Sequence, residues 1–579
     1  LNLLLRQFRF RDLNNQERDI RSFFHHDFHI SGNETGDTAY YEPERGAIFH
    51  YKSNRWFMLN GAVLRDVGDS DPSSLESRPT LPGLKIGVHQ WACGLKEIHN
   101  FEGTWRDAED GELSGGAVAH GSVDSTVGFN LQLQPGGEQT LYYWMAVGSS
   151  FDEVVRINRL VRQRGPEAFL KRTRDYWHLW LMSHRPDMTD LDHTLIEQYL
   201  LSLLVVRTQV DNQGAIIAAN DSDISSSVRD TYSYMWPRDG ALVANALNQA
   251  GHIDLPRAFF RFCEQVLTRE GYLLHKFNPD GTLASSWHPW YRDGVKDLPI
   301  QEDETALVLW ALWEHFDRFK DVEFIKPLYR TLIIPAADFL DRYRDSDTGL
   351  PLPSYDLWEE RRGILTWTVA SVWGGLTAAE KFAQAFGDQE RADRYHAAAV
   401  EVKAGTEAHL WQPELNRFVR MINPSSEDGF DIDPVIDASM IGLWKFGMYP
   451  ADSPQVKSTM ESIRERLWVK TEVGGVARYE NDGYHQVSED VENVPGNPWF
   501  ICTLWLAEWY AWTANSKEDL DRSRSLLDWV AERALPSGVL AEQVHPYTNA
   551  PLSVSPLTWS HATFITAVQA YLQAIKRLA

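Results

Sequence analysis

The sequence predicts a multidomain β + α chain: an N-terminal antiparallel β-sandwich followed by an (α/α)6 barrel of paired helices. Three observations carry this. At 579 residues the chain is too long for one ordinary core. Hydrophobic residues alternate with period two over the first ~150 residues and take up helical spacing from about residue 190. The later helices alternate between amphipathic ones and ones apolar nearly all round, as an outer and an inner ring require.

The sandwich is expected over residues 1–150. Val127, Phe129, Leu131 and Leu133 alternate with polar residues, Pro135-Gly136-Gly137 turns the chain, and Leu141, Tyr143, Met145 and Val147 alternate again. That pattern reads as a hairpin with one buried face. Ala47 to Leu59 is a second strand-rich stretch, and Asp66 to Pro82 a turn-rich surface loop. Residues 151–190 read as a helical linker, with Val154, Val155, Leu160 and Val161 at helical spacing.

The barrel is expected over residues 191–579, in about twelve helices. They begin near Asp192, Gly240, Asp254, Asp303, Asp321, Thr368, Asp388, Ile436, Ser453, Asn497, Ser516 and Thr558. Ser453 is placed to cap the ninth, with Pro454 in its first turn. Pro327 and Pro335 should kink or break the fifth. Leu520, Leu526, Leu527 and Trp529 give the eleventh one apolar face, whereas the tenth, Phe500 to Trp512, is apolar nearly all round. Segments leading into odd helices are short and plain. Those leading into even helices are long and hold the Trp, Arg, Asp and Glu clusters, so chemistry should gather at one end of the barrel.

The net charge of −25 argues against nucleic acid and anionic membrane surfaces, which need a basic footprint. With 23 Trp, 21 Tyr and 26 Phe, the chain has aromatic faces beyond what a core needs, suited to flat ligands. Cys93, Cys263 and Cys502 are far apart and odd in number, which is neither a disulfide framework nor a zinc spacing. A reducing, cytoplasmic location is the expectation. The first residue is not Met, so a removed leader stays open. No cofactor or metal ligand set is read.

The clusters are Tyr232-Ser-Tyr234-Met-Trp236-Pro-Arg238-Asp239; Ser286-Trp287-His288-Pro289-Trp290 with Gln301-Glu302-Asp303-Glu304; and Tyr355-Asp356-Leu357-Trp358-Glu359-Glu360. Further on come Ala477-Arg478-Tyr479, Gly496-Asn497-Pro498-Trp499, Leu540-Ala541-Glu542-Gln543 and Leu557-Thr558-Trp559-Ser560-His561. Taken singly, each has a plain reading. Adjacent carboxylates are usually a solvated face, Arg238-Asp239 an ion pair, His561 a core histidine, and each tryptophan core. Together they offer what glycosidic cleavage needs: two carboxyl groups, hydrogen-bond partners for hydroxyls, and aromatic faces.

As a set these motifs resemble glycoside hydrolase family 15, whose members include glucoamylases, glucodextranases and bacterial or archaeal trehalases. The resemblance covers about residues 225–565. It implies Glu359 as general acid and Glu542 as general base. Arg238, Asp239 and Arg478 would hold hydroxyls of the released sugar. Tyr232, Trp236, Trp358 and Trp559 would shape its pocket, and Glu360 would contact the neighbouring sugar. Fungal members carry a Trp where this chain has Lys296-Asp297-Leu298-Pro299, and Trp287 or Trp290 is the candidate replacement.

The implied activity is inverting, exo-acting hydrolysis of α-linked glucose from α-glucans or maltooligosaccharides, with trehalase or isomaltose and dextran cleavage as the rival on the same machinery. From other classes, a silent sugar-binding protein is opposed by the presence of both carboxyl candidates. A sugar phosphorylase would lack the second. Glu359 is expected to stay protonated, because Trp358 and neighbouring carboxylates disfavour its ionised form.

Overall fold

The computed structural model describes the chain except residues 34, 65–83, 99, 185, 221–230, 287, 293 and 426–428. The expected loop from Asp66 to Pro82, and Trp287, lie outside the described residues. The chain divides into two units, Leu1–Trp180 and Leu181–Ala579.

The first unit contains β1 (Leu3–Arg11), β2 (Arg18–Asp27), β3 (Asp37–Glu42), β4 (Ala47–Lys52), β5 (Arg55–Leu64), β6 (Leu84–Ile86), β7 (Gln90–Leu95), β8 (Val118–Gly121), β9 (Val123–Leu133) and β10 (Glu138–Gly148). One sheet runs β1-β10-β5-β4-β3-β8, with β6 also on β5; the other runs β2-β9-β7. The pairs in both are antiparallel.

The alternation in β9 and β10 is as read, but the two strands do not form a hairpin. β9 pairs β2 and β7, while β10 pairs β1 and β5. The Pro135-Gly136-Gly137 turn therefore carries the chain from one sheet to the other. Both strands turn their apolar side to one core, where Val127, Phe129 and Leu131 meet Leu59, Leu141 and Tyr143. A period-two pattern names the buried face, and it cannot say which sheet the next strand joins. The sheets approach closely at Gly61, where a Cβ would stand 2.4 Å from the Phe129 ring.

Residues read as a linker form α1 (Phe151–Arg164) and α2 (Pro166–Met182), which belong largely to this first unit. Val154, Ile157 and Val161 of α1 pack against strand residues of the sandwich. Trp144 Nε1 donates to Asn158 Oδ1 at 3.0 Å, satisfying the one polar side chain on the buried face of α1.

The second unit is built of outer–inner pairs. These are α3 (His193–Thr208) with α4 (Pro237–Gln249), and α5 (Asp254–Val266) with α6 (Glu302–Phe319). Next come the broken α7 (Val322–Leu328) and α8 (Ile334–Arg342) with α9 (Thr366–Ala385), then α10 (Gln389–Gly405) with α11 (Gly442–Lys445). The last are α12 (Pro454–Leu467) with α13 (Phe500–Thr513), and α14 (Lys517–Glu532) with α15 (Thr558–Leu578). The inner members touch in a closed ring: α4 to α6, α6 to α9, α9 to α11, the turn Ala438–Ile441 before α11 to α13, α13 to α15, and α15 back to α4. This is the (α/α)6 barrel.

Local sequence explains several helix starts. Asp192, Asp321, Asp388 and Ser516 accept from a backbone N–H in the first turn, and Ser516 forms a full capping box with Asp519. The expected cap of Ser453 is corrected: it occupies the cap position, but its hydroxyl finds no partner. Pro454 lacks an N–H, so that end has one fewer donor to satisfy. Between α7 and α8 a wide turn, Tyr329–Ile333, follows Pro327.

The segments leading into the inner helices are tied together by isolated backbone bridges. Met235 pairs with Phe277, Asp437 with Tyr479, Val476 with Trp499, Trp499 with Gln543, and Ala219 with Leu557. Side chains beside these bridges inherit the rigidity of the ring. No helix among the described residues is long and apolar enough to cross a membrane.

Candidate active site

Met235 is fixed by its bridge to Phe277, and Pro237 starts α4, so Arg238 and Asp239 fall in its first turn. Arg238 is buried. Its Nη1 bonds Gln301 and lies 3.3 Å from Asp303 and 3.6 Å from Glu304, while its Nε lies 3.6 Å from Asp239. Asp303 also accepts from Trp367 Nε1 at 2.8 Å. Burial pushes the Glu304 carboxyl well up despite Arg238. Asp239 receives no hydrogen bond from another side chain among the described residues. Burial raises it to about 6, with Glu359 adding to the effect and Arg238 opposing it. Arg238 is thus engaged largely by protein, while Asp239 keeps its acceptors.

The adjacent carboxylates face different partners. Asp356 Oδ1 accepts the N–H groups of Glu360 and Arg361 at 2.7 and 2.9 Å, closing a tight turn. Within it Glu359 takes φ 63°, a left-handed conformation costly for a residue with a Cβ. Glu359 Oε1 accepts from Trp236 Nε1 at 2.7 Å, and its Oε2 lies 2.9 Å from His275 Nε2. Glu360 accepts from Arg478 at 2.9 Å and Arg361 at 2.7 Å, and from the Tyr479 hydroxyl.

This corrects the expected protonation of Glu359. Burial raises its pKa, but His275, Lys276 and Arg238 outweigh that and bring it down to about 2. The environment inferred from sequence neighbours is elsewhere: Trp358 Nε1 points to Asp437, and Glu360 is held by the Arg478 side. His275 in turn stacks on His288 at 4.1 Å, and burial with the charge of His275 pushes His288 down to about 3. At neutral pH His288 is therefore uncharged.

Arg478 is buried as well. Its Nε and Nη2 reach the two oxygens of Asp482 at 2.7 and 2.6 Å, a bidentate pair. Its guanidinium stands 5.1 Å from the Trp358 ring, 4.9 Å from Tyr484 and 4.7 Å from Trp499.

Glu542 is buried on the segment tied by the Trp499–Gln543 bridge, and its N–H donates to Val554 O at 3.0 Å. Gln543, anchored by Asn497 at 2.8 Å, donates to Glu542 Oε2 at 3.3 Å. Burial raises the Glu542 carboxyl to about 7. Tyr232 joins the two carboxyl candidates. Its hydroxyl bonds that of Tyr484, and its pKa is raised well above 10 by burial, then by Glu542, Tyr484 and Glu359. One hydroxyl thus feels both Glu542 and Glu359.

Residues 193–569 match the sequence profile of glycosyl hydrolases family 15. The chain belongs to that family.

Similar proteins include an uncharacterized glycosyl hydrolase of Methanocaldococcus jannaschii, 29% identical over 65% of this chain and 55% of its own length. A glucoamylase of a Clostridium species is 23% identical over 73% of this chain and 59% of its own. The chain thus spans little more than half of these two relatives. A crystal structure of a bacterial glucoamylase complexed with acarbose superposes over 100% of this chain and 84% of that one, with TM-score 0.72 and 18% identity, which shows a shared fold.

The structure places Trp236 against Glu359 and Arg238 beside Asp239, and brings Trp358, Glu360 and Arg478 together. Trp559 stands further along a chain of rings, 5.7 Å from Trp505, which is itself 6.2 Å from Trp358. Trp290 is 44% exposed. The sequence reading missed His275, Lys276, Tyr484, Asp482 and Asp437. His275 and Lys276 precede Phe277, in the same lead-in to α6 as the Ser286 cluster. That position alone could have marked them.

Proposed function

We propose that this chain is an inverting exo-acting hydrolase that releases β-D-glucose from the non-reducing ends of α-glucans or maltooligosaccharides. The observation that carries this is the position of Tyr232: its ring lies 6.0 Å from Trp236, the donor to Glu359, and its hydroxyl bonds Tyr484, whose ring packs on Trp499, the residue bridged to Gln543 beside Glu542. Two carboxyl groups are what acid-assisted departure and water activation need. Glu359 protonates the glycosidic oxygen as the C–O bond breaks; Glu542 takes a proton from the water that attacks the opposite face of the sugar carbon. Asp239 accepts from sugar hydroxyls, Arg238 holds Asp239 in place, and Glu360 with Arg478 borders the neighbouring sugar. Trp236, Trp358 and Tyr232 supply ring faces.

A second reading, trehalose hydrolysis, is favoured by one relative. The trehalase of Thermoplasma acidophilum aligns at 20% identity over 90% of this chain and 89% of its own length. Glucose release from maltose, maltotetraose, isomaltose, dextran and trehalose separates the two. Highest kcat/KM on maltotetraose supports the first reading, and release from trehalose alone supports the second. No release from any of them would remove both.

A further inference from the structure

The inner helices of the barrel begin at the end that holds Asp239 and Glu359, and their last turns surround a second cavity of about 660 Å³. Asn245 and Gln249 line it from α4, Trp310 and Trp313 from α6, Trp373 from α9, and Trp512 from α13, with Trp444 from α11. None of these belongs to the site described above. The volume lies within the roughly 300–1,000 Å³ typical of small-molecule pockets.

We propose that this cavity is a second saccharide-binding site, taking a neutral oligosaccharide at the barrel mouth opposite the catalytic one. Three observations support that class of ligand. Five tryptophans line one cavity, half-buried Trp313 and Trp373 and the 50% exposed Trp512 among them, so ring faces stay open to a sugar. Asn245 is only 6% exposed, yet its side-chain amide has no hydrogen-bond partner among the described residues. The amide lines the cavity, so a ligand hydroxyl there has a donor and an acceptor to bond.

The charges, finally, are partly matched within the protein, with Arg318 also on the wall. Lys445 bonds Glu508, which also accepts from Thr566, and Lys381 lies 5.5 Å from the Trp313 ring and draws on Glu314. Burial raises the Glu314 carboxyl, and Lys381 opposes the rise. An anionic ligand would find Lys445 already paired with Glu508.

The inference goes beyond the proposed catalysis and does not need it. Its test is equilibrium dialysis of maltotriose against the Glu359→Gln chain, which should not consume the ligand. Two molecules bound per chain are expected. Adding Trp313→Ala or, as a more conservative change at the exposed rim, Trp512→Ala should weaken one of them about tenfold. Adding Asp239→Ala instead should weaken only the other. Should the catalytic reading fail, a single maltotriose lost with Trp313→Ala and kept with Asp239→Ala still supports the second site. Binding that ignores both tryptophan variants, or that Asp239→Ala abolishes entirely, overturns it, as does no binding at all.

Discussion

His275 Nε2 lies 2.9 Å from Glu359 Oε2, and with Trp236 on Oε1 it leaves the candidate acid no unoccupied oxygen. A general acid must hold a proton and offer it to the glycosidic oxygen. In this state Glu359 is ionised at neutral pH, so the substrate has to displace the His275 contact before the carboxyl can work as an acid.

Stability should report this pair. A Glu359 pKa near 2, against an ordinary 4.5, contributes stability that is present above pH 4.5 and lost as pH falls toward 2. In His275→Gln that contribution shrinks, and acid unfolding should begin at a higher pH than in the parent. Thermal melts between pH 2 and 5 measure it. An unchanged acid limb would mean that His275 does not hold Glu359 in its charged form.

Removing the acid itself tests its role. Glu359→Gln should lower kcat on maltotetraose by about 10²–10⁴-fold while the sugar still binds. Near-normal turnover would take Glu359 out of the mechanism.

Glu542 behaves oppositely with pH. Its pKa is raised from 4.5 to about 7, so the stability it contributes is full below pH 4.5 and falls as pH rises through 7. Glu542→Gln should therefore melt higher than the parent at pH 8, by on the order of 2–3 kcal/mol, and alike at pH 4. The same variant should lose turnover. In the parent, kcat/KM should decline below about pH 7 as the base takes up a proton. A variant no more stable at pH 8 would show that Glu542 ionises freely in the folded chain.

Arg238 and Asp239 should separate structure from recognition. Arg238→Leu leaves Asp303 and Glu304 buried without their cation, at a cost of about 3–5 kcal/mol of stability. Asp239→Asn keeps shape but weakens hydroxyl acceptance, so kcat/KM should fall by a similar factor on every substrate with little change in melting. If Asp239→Asn alters only stability, the ion-pair reading of this residue stands.

The sequence made the barrel legible because its helices alternate in character. Phe500–Thr513 is apolar all round and Lys517–Glu532 is not, and no packing information is needed to see that. It showed the buried faces of β9 and β10 but not their sheets, since the partners of β9 come from Arg18–Asp27 and Gln90–Leu95, far along the chain. The site was legible in its motifs and not in its electrostatics. Glu359 and Glu360 are neighbours in sequence, yet the left-handed turn at Glu359 sends one to His275 and the other to Arg478. His275 is 84 positions from Glu359 and lies ahead of the Ser286 motif rather than in it, and only the ring of inner helices brings them together.

The stereochemistry of the product is the sharpest test of the pair. In the proposed reaction Glu542 never bonds to the sugar; water attacks as the leaving oxygen departs, protonated by Glu359. A water between carboxylate and sugar needs the two carboxyl groups about 6.5–9.5 Å apart, against about 5–5.5 Å when the second attacks directly. A single displacement inverts the anomeric carbon, so an α-linked substrate must give β-glucose first. Proton NMR of the earliest product from maltotetraose, recorded before mutarotation, distinguishes the outcomes. β-Glucose first, together with lost turnover in Glu542→Gln, supports Glu542 as the water-activating base. α-Glucose first would require a covalent glycosyl intermediate, and Glu542 would then be a nucleophile.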